Sequence, residues 1–291
     1  MKRKEKLAFA LLSTLMLLSF VNTSMAAPPS YVGVAKGDEF VWVPSVNMVN
    51  VNTTAIALIG EENWTIAYNM LVEQYENDTG MDFGSLAGAG IKAVVKNVSD
   101  EITFAPGIFG SNLTMDIYTS AGQNNWTSVA NNTAVMLYDP NSLNETTIMA
   151  GFGGVPLIMA KGFNYTMFTN WVSTNIAADP YLNGNITVQT QGTGFKVTLK
   201  TSYLEASINM TEVPFNFTLS DVEFNVRWNS NGVFEYGSLV YGGLVLVSIQ
   251  LVPTDEMIPG YEIVTIIGVS IVSIIAIVYI KRKKNIKNLK F

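Results

Sequence analysis

Apolar and polar positions alternate in strand fashion along most of the middle of this chain, and in two places the period lengthens to that of a helix. Tyr31 to Ala35 and Phe40 to Val43 flank a Lys36-Gly37-Asp38 turn signal, which predicts strand, turn, strand. Asn47 to Thr54 reads as a polar loop ahead of the apolar segment Ala55 to Ile59. Glu61, Glu62 and Asn63 then put anionic and capping groups in front of Trp64, Ala67, Tyr68, Leu71, Val72 and Tyr75, a helical spacing closed by Gly80. After a glycine-rich loop to Gly90, strands are expected at Ile91 to Val98, Glu101 to Ala105 and Leu113 to Tyr118, with Thr127 to Tyr138 completing the group.

A second helix is expected from Asn164, its apolar face formed by Tyr165, Phe168, Trp171, Val172 and Ile176 and its stop by Asp179-Pro180. Alternation then predicts strands through Ile186 and Val188, Phe195 to Leu199, Leu204 to Met210, Phe215 to Leu219 and Val222 to Trp228. Asn231-Gly232 and Gly242-Gly243 supply tight turns before the strands that end at Leu251. The order of elements repeats: a helix opening at Asn63 or Asn164 is followed some thirty residues on by Ile91 to Lys96 or Phe195 to Lys200. Either a helix-plus-sheet unit has been duplicated, or an Asn/Thr-rich alternating chain matches itself by chance.

The two ends follow other rules. Ile263 to Ile280 is an unbroken apolar run whose helical length of about 27 Å suits a bilayer, and it is preceded by a linker at 257–262. Lys281, Arg282, Lys283 and Lys284 open a basic tail at 281–291, which the positive-inside bias places in the cytoplasm. Lys2, Arg3, Lys4 and Lys6, the apolar run Leu7 to Val21 and Ser24-Met25-Ala26 form a secretory signal over 1–26, with cleavage expected after Ala26. The expected fold class is therefore α+β: an antiparallel β-sheet-dominated ectodomain with two main helices, plus one C-terminal transmembrane helix. A first helix-and-sheet unit covers 27–150 and a second 151–256.

The net charge of −6 conceals an asymmetry, since seven cations and 22 acidic residues leave the stretch between signal and membrane run at −15. An acidic exterior of that size disfavours nucleic acid. With no cysteine and no histidine, disulfides, thiolate and Ser-His-Asp catalysis, and Cys- or His-ligated metals are excluded. Carboxylates are left as the acid/base candidates, in the pairs Asp38 with Glu39, Asp78 with Asp82, Asp100 with Glu101 and Asp255 with Glu256. Neighbours on a strand point to opposite faces, so a solvated surface is the better account of these pairs. Asn77-Asp78-Thr79-Gly80-Met81-Asp82 offers oxygen ligands but lacks the alternation and closing Glu of a calcium loop. No phosphate-binding glycine pattern is present, and neither a metal nor a cofactor is expected.

The most frequent motif is N-x-[ST], at Asn52, Asn63, Asn77, Asn97, Asn112, Asn125, Asn131, Asn144, Asn164, Asn185, Asn209 and Asn216. Its density, and the polar phase of Asn112, Asn185, Asn209 and Asn216 on their strands, point to a glycosylated surface. Asn63 and Asn164 serve equally well as helix caps.

Pro259-Gly260-Tyr261, the membrane run and the basic cluster resemble the three-part C-terminal sorting anchors of archaeal surface glycoproteins, with Tyr261 standing where that motif has Phe. Val34 to Trp42 is similar to an N-terminal strand pair of secreted proteins from Asgard-type archaea. The resemblance covers about a fifth of the chain. It implies a surface location and gives no activity; with Tyr261 in place of Phe, the expectation is that the helix is retained and not exchanged by an archaeosortase. The expectation is a cell-surface anchored, N-glycosylated envelope protein with a structural or binding role and no enzymatic activity, its partners being the membrane and other envelope proteins. The alternative is a membrane-tethered carrier of a lipid or other apolar ligand; a carboxylate-dependent glycan hydrolase is a third reading.

Overall fold

A computed structural model describes residues 28–79, 89–121, 125–144, 156–207 and 219–253. The signal at 1–26, the linker at 257–262, the membrane run at 263–280, the tail at 281–291, and Pro259, Gly260, Tyr261, Asn209 and Asn216 lie outside the described residues. Among the described residues no helix is long and apolar enough to cross a membrane.

Ten strands form one antiparallel sheet: β1 (Glu39–Val46), β2 (Ala89–Val98), β3 (Ile102–Ala105), β4 (Ile108–Ala121), β5 (Trp126–Tyr138), β6 (Ile186–Thr190), β7 (Gly194–Leu199), β8 (Val222–Trp228), β9 (Phe234–Tyr241) and β10 (Leu244–Val252). Its order is β5-β4-β2-β1-β10-β9-β8-β7-β6, with β3 pairing β4 beyond the end of β2. The join is between the first strand and the last, with Trp42 opposite Leu251 and Val46 opposite Val247. The stretches 27–150 and 151–256 thus contribute five strands each to one sheet.

Successive side chains on a strand take opposite faces, and the register carries that alternation across the whole width. One face collects Trp42, Ala93, Met115 and Ile249, together with Leu239, Phe224, Val197 and Val188. The other carries Lys92, Lys96, Asp116, Lys196, Glu223, Asn225 and Ser238. The apolar face packs against α1 (Met48–Ile59), α2 (Glu61–Thr79) and α3 (Tyr165–Ala178). Val51 and Trp64 of the first two helices cover Leu239, Leu246 and Val247, while α3 covers β6 and β7. Trp42 and Trp228 are both 0% exposed and belong to the larger cluster.

Helix formation at α2 and α3 follows the sequence pattern. Asn164 caps α3 by accepting from the Met167 amide at 2.9 Å, and Glu61 and Glu62 sit in the first turn of α2. Three expectations are corrected. Tyr31 to Ala35 is not a strand but an irregular segment, its Val32 amide bonded to the Pro29 carbonyl at 2.8 Å and its Tyr31 carbonyl accepting from Lys161 at 2.7 Å. Asn47 to Thr54 is not a loop, because Asn47 caps α1 through the Asn50 amide at 3.0 Å and Val51 gains burial on the sheet. Leu204 and Ala206 lie in a short helix, α4 (Thr201–Ser207), whose first amide and hydroxyl both donate to Asp221, at 2.8 and 3.0 Å. Four helices are thus described where two main ones were expected.

Candidate functional site

Three surfaces are candidates, and the first is the space between α3 and the sheet. Aromatic rings fill it. Tyr165 stacks on Trp228 at 5.6 Å, Phe195 lies 6.0 Å from Trp228 and 5.1 Å from Phe168, and Phe163 meets Tyr165 edge-on at 5.1 Å. The Trp228 indole donates to the Pro156 carbonyl at 2.9 Å, so its polar atom is satisfied. Burial pushes the Tyr165 hydroxyl well above the usual phenol range. This is tight packing, with ring geometry typical of a core.

Where α3 begins, a cleft of about 270 Å³ opens at the surface among Lys161, Phe163, Tyr165, Thr193, Asn229 and Gly232. Three segments distant in sequence meet there, held by the Met159 amide on the Gly232 carbonyl at 2.7 Å and by the Trp228 amide on the Thr193 carbonyl at 3.1 Å. A wider cleft of about 370 Å³ lies at the sheet rim against Glu39, Phe40, Leu251, Val252 and Pro253. Away from these clefts' linings, burial together with the carboxylates of Glu101 and Asp139 lifts the Tyr31 hydroxyl to about 12.

On the polar face, carboxylates pair with cations on neighbouring strands. Asp116 accepts from the Asn132 amide at 2.9 Å and faces Lys96 at 3.2 Å; these two contacts, the amide foremost, hold it below the usual carboxylate range. Asp221 is lowered in the same direction by the Thr201 amide first, then by Lys200 at 3.1 Å. Lys196 with Glu223, Arg227 with Glu235 and Lys92 with Glu39 complete the set among the described residues. Of the acid pairs singled out from sequence, Asp38 accepts from the Ala35 amide at 2.8 Å while Glu39 turns to Lys92. Asp100 and Glu101 are exposed beside β3, and Asp78 is exposed on α2. Asp82, Asp255 and Glu256 lie outside the described residues. Among the described residues no group of three acidic side chains is placed to hold a metal ion.

Ten of the twelve sequons are described and none is buried. Asn52, Asn63, Asn77, Asn97, Asn125, Asn131, Asn144 and Asn164 are exposed; Asn112 and Asn185 are half-buried. Asn52 differs from the rest, because its amide oxygen accepts from the Trp64 indole at 3.0 Å and its sequon partner Thr54 is buried. Asn97 and Asn131 both fall at irregularities in strand register. Sequence reasoning missed the cleft at the start of α3, since only the fold brings its three segments together.

No family model matches the chain, and no curated protein matches it. Among solved structures, one from work on dehydratase substrate selection in the borrelidin and fluvirucin polyketide synthases aligns over 58% of this chain and 67% of its own, at 12% identity and a TM-score of 0.16. A likeness that loose carries no argument about fold or activity.

Proposed function

We propose that this chain is a cell-surface anchored, N-glycosylated envelope protein that works by binding or by structural support, not by catalysis. In its finer architecture the helix-plus-sheet unit is duplicated, the signal over 1–26 is removed, and Ile263 to Ile280 spans the membrane below a processed or retained Pro259-Gly260-Tyr261. The observation that carries this reading is that eight of the ten described sequon asparagines are exposed and none of the ten is buried. The ion pairing of the polar face adds support, because carboxylates held ionised by cations are poor general acids. Envelope proteins and the bilayer are the proposed partners.

The test is intact-mass and glycopeptide analysis of the full chain purified from a glycosylating archaeal host, with a membrane-impermeant label applied to whole cells beforehand. Surface labelling and hexose-bearing peptides at the exposed sequons are expected. An unlabelled protein of unmodified mass would remove the proposal, and loss of 263–291 would show that the anchor is processed. A carrier of a lipid or other apolar ligand is a second reading, favoured by the rim cleft beside Phe40 and Leu251 and weakened by the ring-filled space under α3. A lipid adduct in native mass spectra, lost on Phe40→Asp, would favour it.

A further inference from the structure

The two outer strands of the sheet are guarded differently. β6 lies under α3, where the Ser173 hydroxyl donates to the Val188 carbonyl at 3.4 Å and Thr169 and Thr190 share a hydrogen bond at 2.6 Å. β5, at the opposite side, pairs only with β4 among the described residues. It is 13 residues long, without a charged residue or a proline, and Val129 is 57% exposed. An uncharged, proline-free outer strand of that length is a template for a further strand. What marks it instead is the N-glycan acceptor motif: Asn125-Trp126-Thr127 stands at its start and Asn131-Asn132-Thr133 in its middle. The second sequon coincides with a bulge, where Asn131 and Asn132 together face Asp116, Asn132 has φ +53° and its amide leaves the ladder for the Asp116 carboxylate. Asn131 is exposed, with its amide oxygen accepting from Ser128 at 2.9 Å.

We propose that N-glycans at Asn125 and Asn131 are the guard of the β5 edge, and that without them this edge pairs with β5 of a second copy of the chain. The proposal rests on the glycoprotein reading above. The bulge alone interrupts the edge at one point and leaves Trp126 to Ala130 and Thr133 to Tyr138 free to pair; a bulky hydrated glycan on each side of the first run closes the approach.

The full chain in mild detergent, made in a glycosylating host, is compared by light scattering after gel filtration with Asn125→Gln/Asn131→Gln and with Thr127→Ala/Thr133→Ala, which remove the same sequons through different residues. Asn77→Gln/Asn97→Gln, on α2 and β2, serves as the control. Glycopeptide mapping of the starting protein comes first. Occupied Asn125 and Asn131, a shift of both edge variants to dimer mass or larger with the control unchanged, and return to monomer on adding Val129→Lys are the expected results. Unoccupied sites at Asn125 and Asn131 overturn the proposal, and if no other sequon is occupied the glycoprotein reading falls too. Occupied sites with edge variants that stay monomeric overturn the edge role alone. An oligomer that Val129→Lys does not reverse places the contact elsewhere and overturns it as well.

Discussion

Trp42→Phe tests whether the two halves of the chain share one core. The Trp42 indole comes from the first strand, is 0% exposed, and donates to the Phe234 carbonyl at 2.7 Å, beyond β10 on the far side of the join. Phenylalanine keeps a ring beside Phe40, whose centroid is 6.1 Å away, but removes the donor. An acceptor left unsatisfied in the interior costs about 1–3 kcal/mol. The smaller ring leaves roughly 40 Å³ unfilled, about 1 kcal/mol at the usual ~24 cal/mol per Å³. The sum, about 2–4 kcal/mol, is a large share of the roughly 5–15 kcal/mol that holds an ordinary domain folded. Guanidinium unfolding of the full chain in mild detergent, followed by far-UV circular dichroism and by fluorescence, reads it directly. One transition at lower midpoint with unchanged slope is expected. A loss under about 1 kcal/mol would refute the hydrogen-bond account. Two separated transitions would refute the shared core.

Other substitutions probe single features. Thr54 is buried and its hydroxyl has no hydrogen-bond partner among the described residues, so Thr54→Val should raise stability by about 1 kcal/mol in the same titration; a fall would show a partner that the geometry lacks. Asn132 holds φ +53°, so Asn132→Ile should cost about 1–2 kcal/mol while Asn132→Gly is tolerated, both leaving the Asn131 sequon intact; equal melting temperatures would refute the strain. Because Asp116 has its pKa lowered in the fold, its contribution is complete above the unfolded value near 4 and is lost as pH falls through the folded value. The advantage of wild type over Asp116→Asn should therefore be present at pH 7 and shrink below about pH 4, and a difference independent of pH would rule out the charge as its source.

The strands β8 to β10 were legible because Val222 to Trp228 alternate cleanly and the Asn231-Gly232 and Gly242-Gly243 turns fix where each strand ends; Gly232, Gly242 and Gly243 all take positive φ. α1 was illegible because Asn and Thr fill Asn47 to Thr54, residues that favour turns unless a cap and a packing surface decide otherwise, and here Asn47 and Leu239 supply both. α4 inverted its expected form because Asp221, twenty residues on in sequence, accepts from its first amide and hydroxyl, a contact that alternation at Leu204 and Ala206 does not announce. The β1–β10 pairing joins residues some two hundred positions apart, which no local pattern encodes. The sequons could be named from sequence, but the outer position of β5, which pairs only with β4 among the described residues and gives Asn125 and Asn131 their setting, needed the strand order.

Pairing the first strand with the last also decides which end of the sheet faces the proposed anchor. β1 begins at Glu39 opposite the end of β10, so Lys36 to Asp38 and Pro253 share one rim, with the cleft of Phe40 and Leu251 between them. Residues 254–262 then allow at most about 30 Å of extended chain before Ile263. On the proposed topology that rim is held close to the bilayer, whereas the opposite rim, where Gly242-Gly243 turns and Asn47 starts α1, lies a strand's length further out. Val49, close to that opposite rim at the start of α1, is exposed, as are Ile66 and Met70 of α2. β5 runs the distance between the two rims, from Trp126 opposite Ser120 to Tyr138 opposite Gly110, and the Asn131–Asn132 bulge divides it, so the proposed glycans at Asn125 and Asn131 would stand beside the run further from the proposed anchor.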